Sequence, residues 1–405
     1  MEKLFTERAH LMCPRMNFGI AMCVDHAFDA EGIKEAFKDL AEHHPFLRSV
    51  IWCDEKDNSY YYDLTAGSKI ELAVNEEPLT GLDDPALLKT YQRLIGYEWD
   101  VRKSGMLKVI ARKAEDKTIF LMVFHHLLAD GRGALDLAEE LADLYVENKR
   151  RSSAEEKLIA SVEDMPKNSG LPFFSKKLVD KANKDWAMEH QTPLTYQRYI
   201  EFADKYVKQD VVKFSMARVS AEDLAKLDNE SKSLNVSVND LLMARMYHND
   251  KTDKIIIAKD LRDSLPFYNK GALGNYSTAF SITIKDPSKE VGVIAKEVHK
   301  KVKKTVATPK DLYLILQCYA ALTPEVLDAA FMAAKGQFVS KSAEFIGKQF
   351  FGFEEAKGCC LTNLGKIENK NIVSAAFIPP ASPAMRKTLG VLTVNGEMIT
   401  CVSER

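Results

Sequence analysis

The 405-residue chain lacks a charge excess, with 56 Lys and Arg against 58 Asp and Glu and a formal net charge of −2. Holding nucleic acid or an anionic membrane by bulk attraction requires a basic surplus, so neither partner is implied. Long apolar runs are missing too: none approaches the roughly 20 residues of a membrane span. The opening MEKLFTERAHLMCPR puts Glu, Arg and His where a secretory leader needs an apolar core, so a cytoplasmic protein is expected. The seven cysteines (Cys13, Cys23, Cys53, Cys318, Cys359, Cys360, Cys401) are odd in number, scattered and without any C-x-x-C spacing. Reduced, mostly buried thiols follow, not a disulfide framework. There is no G-x-S-x-G elbow, no G-x-x-x-x-G-K-[ST] loop and no H-E-x-x-H, which removes the simplest readings as serine hydrolase, nucleotide binder or zinc peptidase. Solenoid-length repeats, heptads and low-complexity tracts are also absent.

What the chain has is a centre. Thr118 to Tyr145 reads TIFLMVFHHLLADGRGALDLAEELADLY. The apolar run Ile119–Phe124 is too short for a helix of its own and predicts a strand buried on both faces. That strand ends in His125 and His126. Asp130 and Gly131 then make a turn, and Ala134, Leu137, Ala138, Leu141, Ala142 and Leu144 recur at helical spacing. Strand, polar turn and helix together can hold a reactive group rigidly at the lip of a sheet.

Around this centre the pattern is mixed α/β. Asp29–His44 is an amphipathic helix that stops at Pro45, and PFLRSVIWC reads as a strand. Strands are expected at Tyr60–Leu64, Ile70–Val74 and Met106–Ala111, with a helix over Pro85–Tyr97. The short turn Ala114–Lys117 favours an antiparallel pair with the histidine strand. Lys149–Lys184 is polar, broken by Pro166, Gly170 and Pro172, and lacks sustained periodicity, which suggests a crossover between two halves. A mobile cover over the site is the other reading. Beyond it come strand-like Leu194–Phe202 and Val211–Val219, then helices from Ala221 and Val238, the first capped by Ser220. A strand over Lys254–Asp260, another over Tyr276–Ile284 and a lysine-rich helix over Val291–Val306 follow, then helical segments through Asp311–Gln349. VLTVNGEMITCVS closes the chain as a hairpin about Asn395-Gly396.

The phrase H-H-x-x-x-D-G at His125–Gly131 resembles the signature of the acyltransferase superfamily that includes chloramphenicol acetyltransferase, plant-type alcohol acyltransferases and the condensation domains of nonribosomal peptide synthetases. Other phrases resemble the same superfamily. They are the H-P and L-R pairs after Asp29–His44, N-D at Asn239-Asp240, D-L-R then G-N at Asp260–Asn275, and T-N-L-G at Thr362–Gly365. The D-F-G-W-G element of the plant enzymes is absent, which shifts the likeness towards bacterial free-standing alcohol acyltransferases or condensation-like enzymes.

The resemblance implies an α/β fold of two chloramphenicol acetyltransferase-like halves, each a mixed sheet flanked by helices. They are arranged as a pseudo-dimer with a channel between them. The implied boundaries are 1–165 for the N-terminal half, 166–190 for the linker and 191–405 for the C-terminal half. The implied activity is transfer of an acyl group from a thioester, acyl-CoA or acyl-carrier protein, to a hydroxyl or amine. His126 would be the general base, since an imidazole is available neutral near working pH. Asp130 would pair with Arg262 as an architectural bridge, while Gly131 would be needed for its missing side chain and His125 would support the turn. Asn275, Thr362 and Asn363 are channel candidates, the last two for the oxyanion. No permanent cofactor and no metal are implied. The thioester is a co-substrate, and the partners are a small acceptor and, in the carrier-borne case, a carrier protein. His43 and His44 read as helix-terminal structural residues, Asn239 and Asp240 as helix-start residues. The lysines of Val291–Val306 read as a solvated face, or as a seat for phosphates of CoA or pantetheine. The rival reading is a non-catalytic condensation-like module that binds acyl chains or a carrier protein.

Overall fold

The computed structural model describes residues 1–405 except 69, 152–153, 191 and 353–357. Among the described residues, three sheets organise it. The five-stranded sheet runs in the order Ile372–Ile378, Asn17–Val24, Lys117–His125, Leu107–Ala114, Glu71–Asn75. The histidine strand lies in its middle, antiparallel to both neighbours, with Asn17 opposite His125 on one side and Leu107 opposite Phe124 on the other. Its residues from Thr118 to His125 are all buried, so the unbroken apolar run is what a strand with no wet face requires.

The six-stranded sheet has the order Ser277–Thr283, Lys254–Asp260, Cys359–Ile367, Lys387–Val394, Glu397–Glu404, Lys213–Val219. Cys359–Ile367 pairs parallel with both of its neighbours, and its register slips between Asn363 and Lys366. Asn395 and Gly396 take φ of 50° and 83°, as a type I′ turn demands of both central residues. A small sheet joins Glu2–Lys3, Ser59–Asp63 and Val50–Asp54.

The two large sheets are tied together by strand Ile372–Ile378. It follows the strand Cys359–Ile367 in the chain but pairs antiparallel with Asn17–Val24 in the other sheet. Where this strand meets Lys387–Val394, a Cβ on Gly390 would come within 2.7 Å of the Phe377 carbonyl oxygen. Only glycine permits that approach.

Helices Ala30–His43, Pro85–Leu94, Ala221–Leu234, Val238–Asp250 and Val291–Val306 lie where the periodicity places them. Two expectations are corrected. Leu194–Phe202 is not a strand: helix Tyr196–Gln209 begins there, capped by Thr195, whose Oγ1 accepts from the Arg198 amide. Its buried residues Tyr196, Tyr199, Ala203 and Val207 recur at three to four, so burial overrides the β preference of its aromatics. PFLR is a 3₁₀ turn, Pro45–Arg48, and the strand starts at Val50. Lys149–Lys184 contains the start of helix Phe173–Glu189, which buries only Val179, Ala182 and Trp186 and so shows little amphipathic pattern. Residues 152 and 153 of that stretch lie outside the described ones. Among the described residues, no single helix is long and apolar enough to cross a membrane.

Candidate active site

The histidine strand gives way directly to the turn His126–Ala129, then to helix Gly131–Glu147. Asp130 is its N-cap: Oδ1 accepts from the Gly133 amide at 2.8 Å. Both oxygens also meet Arg262, Oδ2 at 3.0 Å from Nη1 and Oδ1 at 2.9 Å from Nη2. The Tyr276 amide donates to Oδ2 at 2.7 Å. This carboxylate is therefore engaged by Arg262 and two backbone amides, and it clamps the turn to the Asp260–Tyr276 loop. Burial works against its charge, but the Arg262 guanidinium and these amides overcome that and hold it below the ordinary aspartate range.

His125 is sealed, 2% exposed, and its Nδ1 accepts from the Leu127 amide at 3.2 Å. Burial pushes its pKa down to about 3, so it is a neutral support of the turn. His126 is half-buried. Its backbone amide donates to the Met16 carbonyl at 2.8 Å, which fixes the position of its Cα.

The ring of His126 is held by Asn275. The Asn275 amide nitrogen lies 2.8 Å from the His126 carbonyl oxygen and 3.3 Å from that of Leu127, both of which only accept. The other amide atom, Oδ1, then faces His126 Nδ1 at 3.1 Å and can only accept as well. Nδ1 must carry the proton, which leaves a lone pair on Nε2. Burial shifts the His126 pKa down, partly offset by its own backbone, Asp130 and Asn275, so the ring is neutral at neutral pH.

Two contacts have no counterpart in the motif. His10 stacks on His126 with ring centroids 4.6 Å apart and planes 27° apart, and Phe18 meets it edge-on at 5.3 Å. His10 lies on a four-residue helix, Arg8–Leu11, with no periodicity to mark it. Phe18 lies in the wholly buried strand NFGIAMCV, whose apolar run is a signal that could have found it.

Thr362 and Asn363 lie on strand Cys359–Ile367 and form no hydrogen bond with His126. Asn363 is occupied, donating to Asn239 Oδ1 at 2.7 Å and accepting from the Gly365 amide at 2.8 Å. Asn239 thus does more than start its helix, while Asp240 forms a capping box with Ser237 and faces His299 at 2.8 Å. Gly131 is close to that same strand: a Cβ there would meet Leu364 Cδ2 at 2.7 Å. Protein already fills the space its missing side chain leaves.

His43, His44 and Glu140 are close enough to share a metal ion. They already satisfy one another. His43 Nδ1 is 2.7 Å and His44 Nε2 3.2 Å from the two Glu140 oxygens, and His44 Nδ1 is 2.6 Å from Glu156. Burial opposes a charge on His44, yet these carboxylates prevail and push it up to about 9. A groove of about 550 Å³ lined by Lys167, Lys176, Lys310 and Gln317 shares no residue with the His126 site.

The Condensation domain family matches residues 14–248 of the chain. Bacitracin synthase 3 of Bacillus licheniformis is 22% identical over 255 residues, which is 62% of this chain but only 4% of that protein's length. The first condensation domain of the calcium-dependent antibiotic synthetase, solved with a substrate analogue, superposes with a TM-score of 0.61 at 8% identity, over 98% of this chain and 88% of that one. The epimerization domain from the third module of tyrocidine synthetase B gives 0.57 at 16% identity, over 99% and 87%. Polyketide synthase associated protein 5 from Mycobacterium tuberculosis gives 0.59 at 13% identity, over 100% and 92%. At such identities these likenesses speak to the fold, which is the mixed α/β fold of two chloramphenicol acetyltransferase-like halves. With more than half its length matched, from Pro14 through the H-H-x-x-x-D-G turn to His248, the chain belongs to the condensation-domain family, whose members are typically acyl- or peptidyl-transferring domains.

Proposed function

We propose that this protein moves an acyl group from a pantetheine-borne thioester, on coenzyme A or a carrier protein, to a hydroxyl or amine acceptor, with His126 as general base. One observation carries the reading: Asn275 commits the Nδ1 proton, so Nε2 of a neutral ring holds the lone pair the reaction needs. Nε2 takes the proton of the acceptor as its oxygen or nitrogen attacks the thioester carbon. The tetrahedral intermediate collapses, the C–S bond breaks, and the imidazolium returns the proton to the leaving thiolate. Burial of His126 serves both steps, since it keeps the resting ring neutral and makes the imidazolium a better acid. In this reading the acceptor and the thioester meet in a channel between the halves. The residue boundaries at 165 and 190 and a location in the cytoplasm belong to the same proposal.

Purified protein is offered acyl-CoA and acyl-carrier protein with a panel of alcohols and amines, and released thiol and acylated product are followed. Transfer is expected with at least one pair, and His126→Ala is expected to lower it by about 10²–10⁴-fold. Equal rates for both proteins would refute the role of His126. Tight binding of acyl-pantetheine without turnover across the panel would favour a non-catalytic binding module.

A further inference from the structure

The oxygen of a reacting thioester carbonyl gains negative charge in the tetrahedral intermediate and needs a hydrogen-bond donor set in advance. Two amide donors considered for that role are committed elsewhere. The Asn275 amide is spent on the His126 and Leu127 carbonyls, and the Asn363 amide on Asn239. His10 remains. Its ring lies 4.6 Å from that of His126, is half-buried, and makes no side-chain hydrogen bond among the described residues.

The turn that carries His10 is not a loose terminus. Arg8 holds Asp328 with two bonds of 3.0 and 2.6 Å, the His10 amide donates to the Glu7 carbonyl at 2.8 Å, and Leu11 and Met12 are in the core. A side chain on so fixed a backbone loses little freedom when it engages a ligand. Its charge state suits donation as well. Burial, and then the neighbouring imidazoles of His126 and His125, drive its pKa well below the ordinary histidine value, so it stays neutral with one N–H and does not compete as a base.

We propose that His10 is a second imidazole of the transfer site, donating a ring N–H hydrogen bond to the acyl carbonyl oxygen as it becomes an oxyanion while the adjacent His126 takes the acceptor's proton. This rests on the acyl-transfer reading above. His10 neither gains nor loses a proton in the step, so it stabilises charge without entering the proton balance.

Two substitutions separate donation from packing. His10→Phe keeps an aromatic face against His126 and removes the donor. His10→Gln keeps an N–H donor and removes the ring. With a donor–acceptor pair that the wild-type protein turns over, His10→Phe is expected to lower kcat by about 10²-fold with KM little changed. His10→Gln is expected to retain several times the kcat of His10→Phe, and the acid limb of the pH profile, set by His126, is expected to persist in both. Melting temperature and near-ultraviolet circular dichroism report folding. Wild-type kcat in folded His10→Phe would overturn the proposal and leave the ring as packing. A folded His10→Gln no better than His10→Phe would overturn it too. If no pair is turned over by the wild-type protein, the parent reading fails and this one with it, an outcome distinct from a normal His10→Phe.

Discussion

Asp130 and Arg262 stand 132 residues apart in the chain and meet through two parallel hydrogen bonds of 3.0 and 2.9 Å, the arginine 7% and the aspartate 3% exposed at the side chain. The pair joins the N-cap of the helix that follows His126 to the loop that carries Asn275. Arg262 rests as well on the faces of Tyr276 and Tyr268 at 4.9 and 5.4 Å. The bridge holds the Asn275 loop against the turn that carries His126, so its loss should be felt first as stability and then as misplacement of Asn275.

Arg262→Ala leaves a carboxylate buried without its counter-charge, which costs about 3–5 kcal/mol. Equilibrium urea unfolding measures it. Arg262→Lys keeps the charge but not the fork, and is expected to recover only part of the loss. Asp130 adds a pH dependence of definite sign. Its folded pKa lies below the unfolded one, so its contribution is present above the unfolded pKa and is lost as pH falls through the folded value. The acid limb of wild-type stability should flatten in Asp130→Asn.

Asn275→Leu removes the acceptor that fixes the Nδ1 proton while keeping the size of the side chain. The ring can then place its proton on Nε2, where it blocks the base of the proposed reaction. A fall in kcat of at least about 10-fold is expected, with KM little altered, because the binding surface is not the thing changed. Steady-state kinetics decide it: an unchanged kcat would mean that the tautomer is held by something else.

Gly131→Ala places a methyl group against the end of Leu364, a flexible side chain and not backbone. Gly131 is the first residue of its helix, so alanine has no conformational objection. Gly131→Ala alone should cost less than about 2 kcal/mol, and Leu364→Ala should relieve that cost in the double variant, giving a non-additive cycle. If the glycine instead leaves room for substrate, Leu364→Ala will not rescue, and KM will rise in Gly131→Ala whether Leu364 is present or not.

How much of this was legible in residues differs by element, for physical reasons. His125, His126, Asp130 and Gly131 lie within one strand-turn-helix, so spacing alone places them. Arg262 and Asn275 became site residues only through a resemblance, since nothing in D-L-R or G-N predicts a contact across more than 130 residues. Asn275 was expected to line a channel, and its hydrogen bonds to His126 came with no signal in the residues. Strands Asn17–Val24 and Ile372–Ile378 drew no expectation: neither alternates, although the first carries an apolar run, and the second, buried except at Val373, pairs with a strand almost a chain length away. His10 had no signal, because a four-residue helix has no period and a stack between distant rings leaves no trace in composition.

Buried ionisable groups off the site set the alkaline side of stability. Glu7, 1% exposed and with neither carboxylate oxygen hydrogen-bonded among the described residues, is pushed by burial up to about 7. Glu98 is pushed up to about 7 by burial as well, despite its bond from Tyr199. His44 rises to about 9 between Glu140 and Glu156. In all three the folded pKa is above the unfolded one, so stability is fully present below the unfolded value and is lost as pH rises through the folded value. The carboxyl pair acts from about pH 4.5 to 7 and the imidazole from about 6.5 to 9. Unfolding free energy should therefore fall from pH 5 towards pH 9. Glu7→Gln keeps the shape of the side chain and removes the charge that pH 8 would force into the core. At pH 8 it should be more stable than the wild type by an amount of order 1–3 kcal/mol, since each tenfold difference in proton affinity between folded and unfolded chains is worth about 1.4 kcal/mol and the unfolded reference is compact. At pH 5 the two should be nearly equal. Urea titrations at both pH values test the sign, and an advantage for Glu7→Gln that is larger at pH 5 than at pH 8 would mean that the carboxyl is ionised and paired in the folded protein.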